Sequence, residues 1–88
     1  MKTIILDGNE IISMSDIHNI FAEELDFPQW YGKNLDALYD CLSDVTEEVE
    51  IIIEDSAELM ENLGISFERL CGLLNDVSEE NPNISVSF

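Results

Sequence analysis

The sequence has very few basic residues. Lys2, Lys33 and Arg69 stand against 20 aspartates and glutamates, which gives a net charge of −17 at pH 7. So strong a negative field repels nucleic acids and anionic membranes, and it speeds the encounter with a basic protein. Acidic surfaces can also serve only to keep a small protein soluble, so the placement of the acids must decide between these explanations.

Cysteines and long apolar runs are scarce as well. The two cysteines, Cys41 and Cys71, lie in apolar helical patterns without a CxxC motif, which predicts buried thiols in a reducing compartment. No stretch approaches the roughly 18 apolar residues of a membrane span. The apolar run within Met1–Asp7 is too short for a signal peptide. We therefore expect a cytoplasmic protein with no membrane or nucleic-acid partner.

Motifs that carry chemistry are also missing. The single histidine, His18, has no cysteine or histidine at metal-ligand spacing, and we expect it on a helix surface. The Gly32-Lys33-Asn34 sequence is not a P-loop, and no EF-hand loop or Ser/His/Asp set is present. Asp36 and Asp40 are predicted on an exposed helix face, whereas acid–base catalysis by carboxylates needs a cleft. We expect neither an enzyme nor a bound metal or cofactor.

The chain does contain enough apolar residues for one core, since 45% of its 88 residues are hydrophobic. This length predicts a single domain, residues 1–88. Apolar and β-branched runs predict strands at Thr3–Leu6, Glu50–Glu54 and Ile84–Phe88. Four segments with helical periodicity lie between them, with candidate capping residues Ser15, Asn34, Asp55 and Ser66. Candidate helix stops are Pro28, Gly64 and Asn81-Pro82.

The resulting order of elements is β-α-α-β-α-α-β. Strands separated by helices favour a parallel sheet with right-handed crossovers. The sequence therefore predicts a small two-layer α/β domain, with a three-stranded parallel sheet and helices packed on it.

The most informative segment is Phe27–Asp44, in which a loop with proline, glycine and two adjacent aromatics precedes a helix. At 100° per residue, three acids fall on the side of this helix opposite its leucines. These acids are Asp36, Asp40 and Asp44. Like charges four residues apart cost a few tenths of a kcal/mol, although an ordinary solvated face also tolerates them.

The aromatics Trp30 and Tyr31 directly precede the acidic helix. Aromatics in a loop more often pack over the core, but here they can form one surface with the acids. Aromatic side chains supply binding energy at interfaces, and carboxylates pair with cationic side chains. We therefore expect at least one of the two to belong to a surface that docks on a cationic pocket.

Residues Pro28–Leu42 resemble the barstar family of intracellular inhibitors, which act on the secreted ribonuclease barnase. The family pattern is a proline, an aromatic pair, Gly, one variable residue, Asn-Leu-Asp-Ala-Leu, an aromatic, and Asp-Cys-Leu. Upstream, Ser15–His18 resembles the family's Ser-Asp-Leu-His, and the second half of the chain matches loosely. The resemblance implies the parallel-sheet fold predicted above.

The resemblance also implies an inhibitor that plugs the active site of a basic ribonuclease and is a monomer when free. Asp40 is the implied central residue, whose carboxylate occupies the site of the substrate phosphate and pairs with the enzyme's Arg and His residues. The implied partner-binding residues are Trp30, Tyr31, Gly32, Asn34, Leu35, Asp36, Tyr39, Asp40, Asp44 and Asp76.

The chain departs from the family pattern around the central acid. Tyr39 and Trp30 replace a tryptophan and a tyrosine, Asp44 and Val45 stand where Gly and Trp are usual, and Lys33 replaces an acid. The shape around the anion therefore differs, which leaves the partner open. One alternative is an immunity protein or antitoxin against a different basic nuclease effector. Another is an acidic enzyme or metal-binding domain.

Overall fold

The computed structural model describes all 88 residues, Met1–Phe88. It contains three strands and four helices in the predicted order β-α-α-β-α-α-β. The elements are β1 Lys2–Asp7, α1 Met14–Glu24, α2 Leu35–Ser43, β2 Val49–Glu54, α3 Ser56–Leu63, α4 Ile65–Glu80 and β3 Ile84–Ser87. None of the four helices has the length and apolar character needed to cross a membrane.

The sheet is parallel throughout, with β2 between β1 and β3. Ile4 of β1 aligns with Ile51 of β2, which in turn aligns with Val86 of β3. The predicted parallel sheet is therefore confirmed.

One face of the sheet carries the core. Ile51 and Ile53 are buried, whereas Ile52 between them is only partly buried and Ile5 on the neighbouring strand is 49% exposed. Alternation of this kind is typical of a sheet covered mainly on one face. The isoleucine run of β2 therefore does not mark a strand buried on both sides.

The helices direct their apolar stripes at this face. Phe21 of α1, Leu38 and Leu42 of α2, and Leu70 and Leu74 of α4 are all fully buried. They belong to one continuous core of 17 buried hydrophobic residues, which leaves the charged faces of the helices toward solvent.

Two predicted capping residues are each wrong by two positions. Helix α1 begins at Met14 because Ser13 has an extended backbone and its side chain accepts from the Asp16 N–H, so Ser15 lies in the first turn. Helix α4 begins at Ile65 directly after Gly64, so Ser66 does not cap it. Gly64 does end α3 as predicted, with a positive φ of 61° that suits glycine.

The start of α3 also differs in detail from the prediction. Asp55 precedes the helix with a left-handed backbone (φ 53°), and its side chain makes no capping hydrogen bond. The carboxylate instead accepts a hydrogen bond from the side-chain amide of Asn9, at 2.5 Å. This bond joins the β1–α1 loop to the start of α3.

Neither cysteine is fully buried. Cys41 and Cys71 are free thiols of intermediate exposure, because each lies at the edge of the apolar stripe of its helix. Burial nevertheless raises the pKa of both thiols, and the carboxylates of Asp44 and Asp40 add to the effect at Cys41.

Candidate protein-binding site

The loop between α1 and α2 has a defined shape. Asp26 and Lys33, near its two ends, both adopt left-handed backbone conformations, with φ of 53° and 52°. Between them, the Tyr31 N–H donates to the Pro28 carbonyl at 2.9 Å, which closes a turn. The loop therefore fixes where the two aromatic side chains point.

The two aromatics point in opposite directions. Trp30 is 82% exposed, and Tyr31 is only 8% exposed and belongs to the hydrophobic core. Trp30 is therefore the aromatic that is available to a docking surface, and its role in partner binding stays a prediction. Tyr31 retains a small accessible area, so its role in partner binding stays a prediction.

Tyr31 is held by two aromatic neighbours, one from the middle of α1 and one from the loop. Its hydroxyl lies 2.5 Å from Nδ1 of His18 in a buried hydrogen bond, and its ring meets Phe27 edge-on with centroids 5.0 Å apart. Burial raises the pKa of Tyr31 to about 12, with a further contribution from Cys41. The role of Tyr31 in the structure is therefore to fasten the loop to α1.

The expectation that His18 lies on a helix surface is wrong. The side chain is 4% exposed, on the face of α1 that packs under the loop. Burial lowers its pKa below the ordinary 6.5, and the charge of Lys33 lowers it further. A buried hydrogen bond to Tyr31 explains why this position holds a polar aromatic ring.

Helix α2 presents its acids as predicted. Asn34 caps it, because its side-chain oxygen accepts from the Ala37 N–H at 2.8 Å. Leu38 and Leu42 are buried on one side, while Leu35 and Ala37 are partly buried. The three acids Asp36, Asp40 and Asp44 are all exposed. The structure therefore places a row of carboxylates on the open side of α2, beyond a loop that carries an exposed tryptophan.

Tyr39 connects this surface to α4. Its hydroxyl donates a hydrogen bond to the carboxylate of Glu80, the last residue of α4. That bond raises the pKa of Tyr39 to about 12, with smaller contributions from burial and from the charges of Glu80, Asp76 and Asp40. Asp76 is exposed one helical turn before Glu80, so both acids of α4 neighbour the acidic row of α2.

Glu80 is thus a residue that sequence reasoning missed. The helical spacing of Asp76 and Glu80 gave a signal, since side chains four apart share a face. No pattern in the sequence pairs position 39 with position 80, and only the packing of α2 against α4 shows it.

Asn81 is a second missed residue, because the sequence suggested only that it ends α4. Its side chain is 7% exposed and donates to the backbone carbonyls of Leu42 and Val45, both at 3.0 Å. The end of α2 is therefore held by an amide from the loop that follows α4.

A cleft of about 360 Å³ opens beside Trp30, between the loop and the C-terminal end of α2. Its lining is half hydrophobic and includes three acids. The lining residues are Leu25, Asp26, Phe27, Pro28, Trp30, Cys41, Asp44, Val45, Thr46 and Glu47. The surface that carries the exposed acids is therefore concave at this point as well as negatively charged.

The remaining predicted residues lie where the loop meets the helix. Gly32 is exposed, and a Cβ at this position would lie 3.1 Å from the side-chain nitrogen of Asn34. Substitution there would press on the cap of α2. No group of three or more histidine, cysteine or acidic side chains is arranged to hold a metal ion.

The amino-acid sequence matches one family of known proteins. A family model described as "Barstar (barnase inhibitor)" covers residues 1–88. The chain belongs to the barstar family. A protein of Bacillus subtilis (strain 168) named "Putative ribonuclease inhibitor YrdF" is 46% identical over 43 residues. The aligned segment spans 49% of this chain and 47% of that protein, so the chain covers about half the length of this relative.

Proposed function

We propose that this protein inhibits a basic ribonuclease of the barnase type by inserting α2 and the preceding loop into its active site. The observation that carries the proposal is the exposed row of carboxylates on α2, centred on Asp40, beside the exposed ring of Trp30. Membership of the barstar family and the printed name of the Bacillus subtilis relative support it.

Asp40 is the residue to which we assign the central contact. A carboxylate is a compact anion that accepts two parallel hydrogen bonds from a guanidinium group, as a phosphate does. An active site built to bind RNA phosphates therefore offers a ready partner for it. Asp36 and Asp44, one turn away on either side, extend the contact to neighbouring cationic groups.

The proposed inhibitor acts by occupancy and performs no chemistry of its own. Trp30 supplies apolar contact area at the rim, while the carboxylates meet the cationic centre of the enzyme. Tyr39 and the acids Asp76 and Glu80 of α4 lie on the flank of this surface. We further propose that the free protein is a cytoplasmic monomer that protects the producing cell.

The partner is expected to differ in detail from barnase. Lys33 places a positive charge in the docking loop, and Tyr39 has its hydroxyl committed to Glu80. Both features change the shape and charge around Asp40, and interface specificity depends on such mismatches. The negative charge of the surface supports a cationic partner, and membership of the barstar family supports a ribonuclease as that partner.

A cleavage assay tests the proposal. RNA hydrolysis by a panel of microbial barnase-type ribonucleases is measured with wild-type protein and with Asp40→Ala. We expect at least one enzyme to be inhibited by the wild type at micromolar concentration and much less by the variant. Inhibition of no member of the panel contradicts the proposal. Inhibition of a basic DNA-cleaving domain instead would move the function to the immunity-protein alternative.

A further inference from the structure

The C-terminal turn of helix α2 has low intrinsic stability. It is nine residues long, and a helix of this length is marginal in water without external support. Its last turn has no basic residue, and Asp44 at the C-cap places a negative charge at the negative end of the helix dipole. Repulsion among its acids adds to this instability.

Asn81 supplies the missing support. The amide nitrogen of its side chain donates to the Leu42 and Val45 carbonyls at 3.0 Å each, and its side-chain oxygen accepts from the Asn83 N–H at 3.0 Å. Both donor hydrogens of the amide and one acceptor site of its oxygen are therefore used between the end of α2 and the turn after α4.

A second contact holds α2 one turn earlier. The Tyr39 hydroxyl donates to Glu80, the residue immediately before Asn81. The two contacts bracket Asp40 in the sequence of α2, since one involves Tyr39 and the other begins at Leu42. The backbone that carries the central acid is thus fastened at both sides to the end of α4.

We propose that Asn81 is a positioning residue for the binding surface: it holds the C-terminal end of α2 in the conformation that the partner recognises. The inference rests on the proposed function for its binding consequence, and on hydrogen-bond geometry for its structural part. Asn81 is buried and contacts the back of α2, so its side chain acts through the helix rather than on the partner.

The test compares Asn81→Ala with the matched variant Asn62→Ala. The Asn62 side chain likewise donates to a backbone carbonyl, that of Ile11, at 3.1 Å, but it does so on α3, away from α2. Binding to an inhibited ribonuclease is measured under conditions in which circular dichroism shows both variants folded. We expect Asn81→Ala to weaken binding at least about tenfold, mainly through faster dissociation, and Asn62→Ala to leave it within about twofold.

Amide hydrogen exchange of the free variants provides a readout that needs no partner. In Asn81→Ala the Asp44 and Val45 N–H groups should exchange faster than in the wild type, and in Asn62→Ala they should not. Unchanged exchange at these amides overturns the positioning role. Faster exchange combined with no ribonuclease binding by the wild type instead rejects the proposed function and leaves the structural part standing.

A measurement on the wild type covers the case in which Asn81→Ala does not fold. If Asn81 positions α2 for binding, thermodynamic reciprocity requires that binding strengthen the contacts of Asn81. Exchange of the Asn81 side-chain amide hydrogens should therefore slow in the complex, while that of Asn62 should not. Equal exchange of the Asn81 amide in the free and bound states overturns the inference.

Discussion

Asp40 is a residue whose contributions to stability and to binding should have opposite signs. It is exposed, with Asp36 and Asp44 one turn away on either side. Asp40→Ala therefore removes the electrostatic repulsion between residue 40 and these two acids, and it removes no core contact. We expect the free variant to be no less stable, and more stable by about 0.2–0.5 kcal/mol. In the complex, the same change leaves cationic groups of the partner buried without a counter-charge, which costs about 2–5 kcal/mol.

Urea unfolding and titration calorimetry on Asp40→Ala measure the two effects separately. Glu47→Ala is the matched control, because Glu47 is also an exposed acid but lies outside α2. It should change binding by much less. A variant that unfolds more easily and binds normally would make Asp40 a structural residue and would place the site elsewhere.

The buried pair of His18 and Tyr31 predicts a specific pH dependence of stability. Because the pKa of His18 is lowered in the folded protein, the unfolded chain takes up a proton at a higher pH than the folded chain does. Neutral His18 therefore makes its full contribution to the stability of the folded protein above the ordinary pKa of 6.5. This contribution is lost as the pH falls toward the lowered pKa that His18 has in the folded protein.

Urea unfolding of wild type and His18→Asn between pH 8 and 5 tests this prediction. The free-energy advantage of the wild type should shrink as the pH falls below about 6.5, since Asn carries no titratable proton. All other ionisable side chains are common to the two proteins, so the difference isolates His18. A difference that stays constant across this range would show that the buried ring is protonated equally in both states.

Among elements, α2 depends on the cap at its beginning as well as on the contacts at its end. The Asn34 side chain accepts from the Ala37 N–H at 2.8 Å, and this is the side-chain hydrogen bond that caps the start of α2. We expect Asn34→Ala to lower the free energy of unfolding by about 0.5–2 kcal/mol. Asn34→Asp, which keeps the accepting oxygen and suits the positive end of the helix, should stay near the wild type. Equal losses in the two variants would show that the cap is not the cause.

Local sequence patterns predicted the helices and strands better than they predicted the ends of the helices or the contacts between elements. Periodicity and the stop at Gly64 give the helices, but the first residues of α1 and α4 depend on backbone angles at Ser13 and Gly64 that periodicity does not encode. The contacts that hold α2 are harder still. The Asn81 side chain lies 39 residues from the Leu42 carbonyl it caps, and no local rule connects them.

The aromatic loop shows the same limit at a single pair of residues. Trp30 and Tyr31 are adjacent in the sequence, and the sequence alone does not indicate which of the two side chains is exposed. Burial separates them because His18 offers Tyr31 a hydrogen bond and Phe27 offers it an edge contact, while Trp30 faces outward. Predicting that difference required knowing that His18 lies beneath the loop.

At the scale of the whole molecule, the order of strands and helices was enough to predict the sheet. Three β-branched runs separated by pairs of helices leave a parallel sheet as the favoured arrangement, and β1, β2 and β3 adopt it. The exposure of the acids on α2 followed from the 100° spacing once Leu38 and Leu42 faced the core. The pattern of the sequence thus predicted which acids of α2 are exposed, whereas the tertiary contacts that hold α2 in place were not predictable from it.

The net charge of −17 makes a prediction about how quickly a basic partner binds. Long-range attraction is screened within about 8–10 Å at physiological salt, whereas contacts inside a formed interface are screened far less. We expect the association rate constant to fall steeply between low and physiological ionic strength, and the dissociation rate constant to change little. Stopped-flow fluorescence can follow this through Trp30, the only tryptophan of the chain, which is 82% exposed.

A variant distant from the site separates steering from contact. Glu61→Gln with Glu68→Gln removes two exposed charges from α3 and the first turn of α4, and Glu68 precedes Glu80 by 12 positions, about 18 Å along the helix. The double variant should associate more slowly at low salt and dissociate at the wild-type rate. The reason is that the carboxylates of Glu61 and Glu68 in the wild type add to the negative field without touching the partner. An association rate that ignores both salt and these substitutions would mean that the acids of this protein act only where they touch.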